Sequence, residues 1–274
     1  MVRMSAVWDR TAEFLSDNLT LIVPVAVIAF FVPASIEGSL PNAAQVQGAL
    51  AILLPLANLF FAVVSLWGAL TVVAMAAHPA EMQGAGGVAR DRLIPALIVW
   101  VALFALLILL LLPVPLALML NGYDVAALAR MEEVHLTAAM AWPIAIYWFL
   151  VAAVTLWAAA RCILVSPLIV LEKRMFDAIP QSIRMTRGRT WQIIGVMLLF
   201  ALVAIVSMLA ARVVFGSIFQ LIAGGDPGPI TLAGVLTSVT VAAVQTAFSV
   251  IWPAFAAKLY LALTSAASRE HQVT

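Results

Sequence analysis

Charge is the scarcest property of this sequence: only 10% of its 274 residues are charged, whereas 65% are hydrophobic. Soluble domains carry roughly 25% charged residues, so a soluble fold of this composition would expose far too much apolar surface. No hydrophilic stretch is longer than about twenty residues, which is too short for a separate soluble domain of about 50 residues or more. The composition therefore excludes a soluble protein.

Cysteine and histidine are also rare. The single cysteine, Cys162, excludes an internal disulfide and a cysteine-rich metal site. No two histidines have metal-ligand spacing on a helix, and we interpret Glu132, Glu133 and His135 as part of a solvated loop. A Gly-x-Ser-x-Gly elbow and a glycine-rich phosphate loop are absent from the sequence. We therefore expect no enzyme, no metal site and no cofactor.

Long apolar runs dominate the rest of the chain. Stretches of ~20 apolar residues are long enough to cross a hydrocarbon layer ~30 Å thick as helices. The alternating pattern of a transmembrane barrel is absent. The predicted fold is an all-α membrane protein, a single integral membrane domain over residues 1–274 with six transmembrane helices. We place the spans at 19–36, 50–77, 93–120, 137–165, 191–212 and 231–263.

The few charges are sorted between the two sides of the predicted bundle. Most Lys and Arg residues fall in the N-terminal segment, in the second and fourth connections and after the sixth span. The opposite side holds Arg130 and Arg212 together with several acids, among them Glu37 and Asp226. Because Lys and Arg are retained on the cytoplasmic side, we predict a multi-pass protein of the bacterial inner membrane with both termini in the cytoplasm.

A short pattern recurs near the inner ends of the even-numbered spans. Trp67, Trp157 and Trp252 are each followed by two small residues or a proline and a small residue, roughly every ninety residues. The pattern predicts three helical hairpins, each entered through a cytoplasmic surface segment. The alternative is that tryptophan simply favours the membrane interface.

The first of these surface segments, residues 1–18, is predicted to be an interfacial helix. Apolar residues recur at spacings of four, three and four, which is the pattern of one helical face. Such a helix can rest at the level of the lipid headgroups before the chain turns inward. The predicted apolar face consists of Trp8, Ala12, Leu15 and Leu19.

The fourth connection, residues 172–190, is predicted to be an amphipathic basic segment. Phe176, Ile179 and Ile183 fall on one helical stripe, while Pro180 suits an early turn of such a helix. Each basic residue at an anionic leaflet contributes about 1 kcal/mol. The cluster therefore either binds acidic lipid headgroups or a partner, or only fixes the topology. Its members are Lys173, Arg174, Arg184, Arg187 and Arg189.

Arg161 is the most telling charge inside a span, because intramembrane charges are costly and often functional. An arginine near the boundary can also reach the headgroups with its long side chain. Glu172 lies on the same predicted face about three helical turns further on, and a bend at Pro167 would bring the two together. A structural ion pair, contact with a lipid headgroup and a role in transport stay open for Arg161.

The segment from Arg161 to Gly195 contains Arg161, Pro167 and Glu172, followed by Met185-Thr186-Arg187-Gly188. This segment resembles the signature of the membrane domain associated with glycerophosphodiester phosphodiesterases, and similar segments occur in YciC-like inner-membrane proteins. Ile179-Pro180 departs from the family pattern, which usually has a leucine there. The resemblance implies a stand-alone membrane domain, because the His-Arg-Gly start of the catalytic domain is absent. It is carried by Arg161, Pro167, Glu172, Ala178, Ser182, Met185, Thr186, Arg187, Gly188, Trp191 and Gly195.

The resemblance and the charge pattern together define the candidate site. Pro167, Gly188, Trp191 and Gly195 are interpreted as structural motif residues. The residues expected to contact lipid or a partner are Arg161, Glu172, Lys173, Arg174, Ser182, Arg184, Thr186 and Arg187.

Three hypotheses for the function follow. The first is a non-enzymatic membrane protein that senses lipid or acts as a scaffold in envelope or lipid homeostasis, with membrane lipids, anionic phospholipid among them, as its partners and no nucleic acid. The second is a transporter or permease for a small amphiphile, with a cavity lined by Asn58 and Gln245. The third is an accessory subunit that binds a membrane-protein partner in a larger complex.

Overall fold

The structure, a computed structural model, describes residues 3–39, 48, 50–124, 137–223 and 231–271. All regular structure in these ranges is helical, and six helical stretches are long and apolar enough to cross a membrane. The protein is therefore a multi-pass helical membrane protein, which confirms the predicted fold class. Arg130, the group Glu132, Glu133 and His135, and Asp226 lie outside the described residues.

The described helices follow one another in a simple order. Three of the described spans are interrupted: the first by a π-helical turn at Val27–Phe31, the third before Pro113, and the fourth between Cys162 and Val165. A 3-10 turn at Pro79–Gly84 connects the second span to the third. In chain order the helices are α1 (Met4–Asp17), α2 (Leu19–Ala26), α3 (Val32–Ser39), α4 (Leu50–Ala77), α5 (Ala85–Leu111), α6 (Pro113–Leu120), α7 (Ala138–Cys162), α8 (Val165–Leu171), α9 (Ala178–Met185), α10 (Thr190–Ala223) and α11 (Leu232–His271).

Proline interrupts one span, whereas other helices continue beyond the ends of the predicted spans. The break between α5 and α6 comes directly before Pro113, whose ring has no N–H to donate and clashes with the preceding turn. Several helices also extend past the predicted apolar runs. α10 continues beyond Arg212 to Ala223, and α11 continues to His271. An apolar run marks the part of a helix that hydrocarbon can cover, and the helical backbone goes on into polar residues.

One end of the bundle is densely packed. This end, which we call the packed end, carries α1, α8 and α9 together with the C-terminal parts of α4, α7 and α11. Hydrocarbon is as apolar as leucine, so close van der Waals contact between helices stabilises this end more than burial from water does. Side chains with no exposed surface here include Leu70, Val72, Val73, Leu164, Leu168, Ile169, Ile193, Phe255 and Leu259.

The opposite end, which we call the open end, is loosely packed. It contains the ends of α3, α6 and α10 and the beginnings of α7 and α11. Large apolar side chains stay exposed there, among them Leu120, Trp142 and Leu221. In the bilayer such side chains face lipid chains or the space between helices.

The first two spans approach each other very closely. A Cβ placed on Gly68 of α4 would lie only 2.2 Å from the Cβ of Ala29, so no larger residue fits at this position. Ser65, one turn earlier, donates its hydroxyl to the Ala29 carbonyl oxygen at 2.9 Å. Ala29 lies in the π-helical turn, and the contact between the two helices is therefore made at the irregular part of the first span.

Helix α1 packs against the protein itself. Its buried residues are Val7, Thr11 and Phe14, and α11 is its main neighbour. The predicted apolar face lies beside this buried stripe, and its contact with the lipid headgroups stays a prediction. Trp8 is 40% exposed and makes ring contacts with Phe255 and Phe200, and Ala12 and Leu19 are exposed.

One lysine joins three helices at the packed end. The ammonium group of Lys258 in α11 donates to the carbonyl oxygen of Ala76 in α4 at 2.8 Å. It also lies 4.7 Å from the ring centroid of Phe14 in α1, which is a cation–π distance. A terminal carbonyl of α4 is thereby satisfied, and α1 is attached to the end of the bundle.

Candidate functional site

The centre of the candidate site is the hydroxyl group of Ser182. Ser182 lies in α9 with no exposed surface, and it donates to the carbonyl oxygen of Arg161 at 2.5 Å. The hydroxyl oxygen of Ser182 in turn accepts the backbone N–H of Leu164 at 3.3 Å. Both partners belong to the turn between α7 and α8, where the helical hydrogen bonds are interrupted. One side chain therefore holds this turn against α9.

Thr186 continues the buried face of α9. It has no exposed surface, and its hydroxyl donates back to the Ser182 carbonyl at 2.9 Å. With Ala178 it completes a stripe of three small residues at intervals of four. Small side chains let α9 approach the turn between α7 and α8 closely. Ser182 and Thr186 thus face the protein interior, while the charged candidates lie around them.

Arg161 and Glu172 each find a different partner. The guanidinium of Arg161 donates from Nη1 to the Ile183 carbonyl of α9 at 3.0 Å and lies 5.2 Å from the ring centroid of Trp157. Its Nε is buried with no hydrogen-bond partner among the described residues. The side chain therefore bridges the fourth span and α9, and it does not reach towards Glu172.

Glu172 connects the end of α8 to the last helix. One carboxylate oxygen accepts the hydroxyl of Tyr260 in α11 at 2.7 Å, and the other lies 2.6 Å from Nε of Arg174. The neighbouring Lys173 adopts a positive φ of 58°, which turns the chain sharply after α8. The carboxylate thereby fixes the start of the surface segment, as we call residues 172–190.

The outer face of the surface segment is both apolar and basic. Lys173, Arg174, Arg184 and Arg187 are exposed. Exposed apolar side chains lie among them: Phe176, which precedes α9, is 51% exposed and Ile183 is 38% exposed. This combination is typical of protein surfaces that lie at a lipid headgroup layer.

The four structural motif residues have different environments. Pro167 is buried in the first turn of α8, where a missing N–H costs nothing. Gly188 follows α9 with a φ of +83°, a conformation that glycine adopts without strain. Trp191 is 83% exposed, and a Cβ on Gly195 would meet no atom within 4 Å. The first two shape the chain, and the last two lie on its outer surface.

A central cavity of about 790 Å³ lies between all six spans. Its wall is mainly apolar, with Trp100, Leu103 and Phe104 contributed by α5. Cys162, Ile163 and Ser166 line it next to the turn that Ser182 holds. The turn bonded to the surface segment therefore forms part of the cavity wall, which we call the floor.

All three copies of the recurring tryptophan pattern reach this cavity. Ser65 and Ala69 line it from α4, Thr155 and Ala158 from α7, and Pro253 from α11. The hydroxyl oxygen of Thr155 is buried without a hydrogen-bond partner among the described residues. The small residues beside each tryptophan leave the space that the cavity occupies.

A second cavity of about 510 Å³ lies at the open end, between α3, α10 and α11. Arg212 lines this outer pocket, together with Gln220, Thr231 and Thr237. Arg212 therefore does not end a span, because its helix continues to Ala223, and its exposed side chain lines this pocket. The outer pocket and the central cavity share Ala34 and Gln245 as lining residues.

Several of these features were not predicted. Of the two polar residues expected to line a transport cavity, Gln245 does so, whereas Asn58 is exposed and lines neither cavity. The contact of Tyr260 with Glu172 and the contact of Lys258 with Phe14 were also not predicted. A lysine and a tyrosine near the inner end of an apolar run were the available signal, because such residues seek polar partners.

The described residues contain no group of three or more His, Cys, Asp or Glu side chains that could hold a metal ion. The charged groups described at the packed end instead form pairwise contacts with carbonyls, rings and one another. This part of the molecule can position a surface and bind anions.

Comparison with known proteins identifies a family for this chain. Neither a curated protein nor a solved structure matches the chain. A family model does match over residues 134–274, which contain the turn at Ser182, the surface segment and the last two spans. The model is that of the membrane domain of glycerophosphoryl diester phosphodiesterase, and not of its catalytic domain. The chain belongs to this membrane-domain family.

Proposed function

We propose that the protein is a non-enzymatic lipid sensor or scaffold of the bacterial inner membrane, with both termini in the cytoplasm, and that its surface segment binds anionic phospholipid. The observation that carries this proposal is the two-sided construction of the surface segment. Ala178, Ser182 and Thr186 are buried in the bundle, while most of the basic and larger apolar side chains of the segment are exposed. Lys173, Arg174, Arg184 and Arg187 form the exposed lipid-binding surface. Ser182 and Thr186, which are buried, and Arg161 and Glu172 hold this surface in position.

The distribution of charge supports the cytoplasmic placement of the packed end. Among the described Lys and Arg side chains, Arg212 is at the open end and the others lie at the packed end. Basic residues are retained on the cytoplasmic side during insertion. The same leaflet carries anionic lipids, to which a basic cluster is attracted.

The attachment of α9 supports binding of headgroups at a fixed position. Two side chains from α9 and α7, Ser182 and Arg161, cross-connect these helices through backbone carbonyls. Arg184 is further held by a hydrogen bond to Gln181. Basic groups on a rigid support lose less conformational entropy on binding than groups on a flexible loop. The rigid attachment therefore favours binding of a headgroup at one position over non-specific attraction by net charge.

The test is native mass spectrometry of the gently solubilised chain in a defined mixture of phosphatidylglycerol and phosphatidylcholine. We expect the wild type to retain phosphatidylglycerol and the variant Arg184→Gln/Arg187→Gln to lose most of it. The matched control is Arg90→Gln/Arg92→Gln, which removes the same charge from the same end, away from the surface segment.

Two results would contradict the proposal. Equal retention in the wild type and the surface variant would reduce the basic cluster to a topology signal. Equal loss in the control variant would show that binding follows net charge and not this site.

A permease for a small amphiphile is the second candidate, and the central cavity favours it. The cavity lies between all six spans, and Gln245 is a polar residue in its wall. Flux of a fluorescent lysolipid across proteoliposome membranes tests this function. Flux equal to that of empty liposomes would exclude this substrate.

A further inference from the structure

The two cavities differ in chemistry and adjoin each other. The outer pocket is lined largely by polar side chains, and the central cavity is mainly apolar. Because Ala34 and Gln245 line both, a ligand with a polar and an apolar part can occupy the two spaces at once. Their volumes, about 510 and 790 Å³, each fall in the range of ~300–1,000 Å³ that is usual for small-molecule sites.

Each cavity has one charged lining residue among those described, and the two charges are opposite. Arg212 lines the outer pocket, and Glu37 lines the central cavity. Glu37 lies one turn of α3 after Ala34. Its side chain is therefore on the same side of the helix as Ala34, close to the place where the two cavities adjoin. Neither side chain has an ion-pair partner among the described residues. The one salt bridge in that part of the chain joins Arg174 to Glu172. A ligand at the junction therefore meets a cation and an anion.

We propose that the adjoining cavities bind one membrane phospholipid whose headgroup carries a phosphate and an ammonium group, as in phosphatidylethanolamine. Arg212 binds the phosphate, Glu37 binds the ammonium group, and an acyl chain fills the central cavity. This site goes beyond the proposed contact at the surface segment. It lies at the other end of the bundle and does not depend on that contact.

The charges select this class of lipid. Guanidinium forms charge-assisted, often bidentate hydrogen bonds with phosphate, and the polar side chains Gln220 and Thr231 offer further hydrogen bonds. A lipid with phosphate but no ammonium group would leave the exposed Glu37 carboxylate at the cavity wall unused. A lipid without phosphate would leave the exposed Arg212 guanidinium of the outer pocket unused.

The bilayer explains the acyl chain. The cavity wall includes Trp100, Phe104 and Leu106, which are exposed, so the cavity is accessible between helices from the surrounding hydrocarbon. A void among apolar side chains loses van der Waals contacts on every wall. A lipid chain that enters sideways restores them without moving a polar group through the membrane core.

The test is native mass spectrometry of the delipidated full chain, loaded with an equimolar mixture of phosphatidylethanolamine and phosphatidylglycerol. We expect the wild type to retain phosphatidylethanolamine and Arg212→Gln to retain roughly tenfold less, the cost of about one charge-assisted hydrogen bond. Glu37→Gln should keep binding lipid but lose its preference for phosphatidylethanolamine. Arg90→Gln, at the packed end, is the control.

The single cysteine provides a second, independent readout. Cys162 lines the central cavity, so an acyl chain there should slow its reaction with a small apolar thiol reagent. We expect protection by phosphatidylethanolamine in the wild type and in Arg184→Gln/Arg187→Gln, but not in Arg212→Gln.

The outcomes separate the two lipid proposals. Equal phosphatidylethanolamine retention in wild type and Arg212→Gln, or no protection of Cys162 by the lipid, overturns the site in the two cavities. Loss of phosphatidylglycerol in the surface variant supports only the contact at the surface segment and leaves these two readouts unchanged.

Discussion

The packed end and the open end are built from the same kinds of apolar residues, yet only one of them is dense. At the packed end, small residues such as Ala76, Ala160 and Ala257 have no exposed surface and let helices come close. At the open end, large residues such as Leu120 and Leu221 project away from the bundle. In a bilayer, the distribution of small side chains decides where helices pack, because hydrophobicity alone favours lipid and protein equally.

The largest expected effect tests the closest contact near the packed end. Gly68→Ala should destabilise the protein by about 3 kcal/mol or more, because the new Cβ would lie 2.2 Å from the Cβ of Ala29 and neither atom is on a flexible chain. Unfolding by sodium dodecyl sulfate in mixed micelles measures the change. The open-end counterpart is Gly216→Ala, whose Cβ would make an ordinary contact at 3.5 Å with Thr237.

We expect Gly216→Ala to be neutral or mildly stabilising, because alanine favours a helix by up to about 1 kcal/mol over glycine. Equal destabilisation by the two substitutions would show that the two ends are packed alike.

The second effect concerns the hydroxyl of Ser182. Ser182→Ala should cost about 1–3 kcal/mol, because it leaves the buried Leu164 N–H without its acceptor. Ser238→Ala at the open end is the comparison, since that hydroxyl bonds Val235 and Ser39 in a partly exposed place. The same micelle titration measures both. A larger loss for Ser238→Ala would contradict the importance given to the turn at Ser182.

The third effect concerns the attachment of α1. Lys258→Met should cost about 1–2 kcal/mol, because it keeps the side-chain stem but removes one hydrogen bond and one cation–π contact. Release of α1 would show as faster trypsin cleavage after the exposed Arg10. Lys173→Met, at an exposed position, should leave the cleavage rate unchanged. An unchanged rate in Lys258→Met would mean that other contacts suffice to hold α1.

The smallest effect is expected at a motif residue. Trp191→Ala should change stability in micelles by no more than about 0.5 kcal/mol, because the side chain is 83% exposed. Trp252→Ala should cost more, since its ring packs against Phe200 and Phe255. A large loss in Trp191→Ala would contradict the position of this side chain on the outer surface of the bundle.

The sequence was sufficient for the helical fold class and for the six spans. Apolar runs of spanning length and clustered arginines are local properties, and the helices follow them. The residues of α1 that are buried in the protein, Val7, Thr11 and Phe14, were not predicted because their burial depends on where α11 lies. The partners of Glu172 were missed because Tyr260 is distant in the sequence.

The cavities could not be predicted for a further physical reason. In a membrane protein, the positions that line an apolar cavity and the positions that face lipid hold the same types of apolar residue. Leu103 and Phe104 line the central cavity, while Leu109 on the same helix does not. Only the charges gave a signal, since Glu37 and Arg212 border apolar runs without a sequence neighbour of opposite charge.

The hydroxyl of Ser182 fixes where the surface segment lies relative to the central cavity. It joins the surface segment to the turn that forms the floor of the central cavity. Arg161 adds a third bond between α7 and α9 through the carbonyl oxygen of Ile183. Together these bonds fix the depth of α9 relative to the cavity, so α9 cannot move along the membrane normal without breaking them.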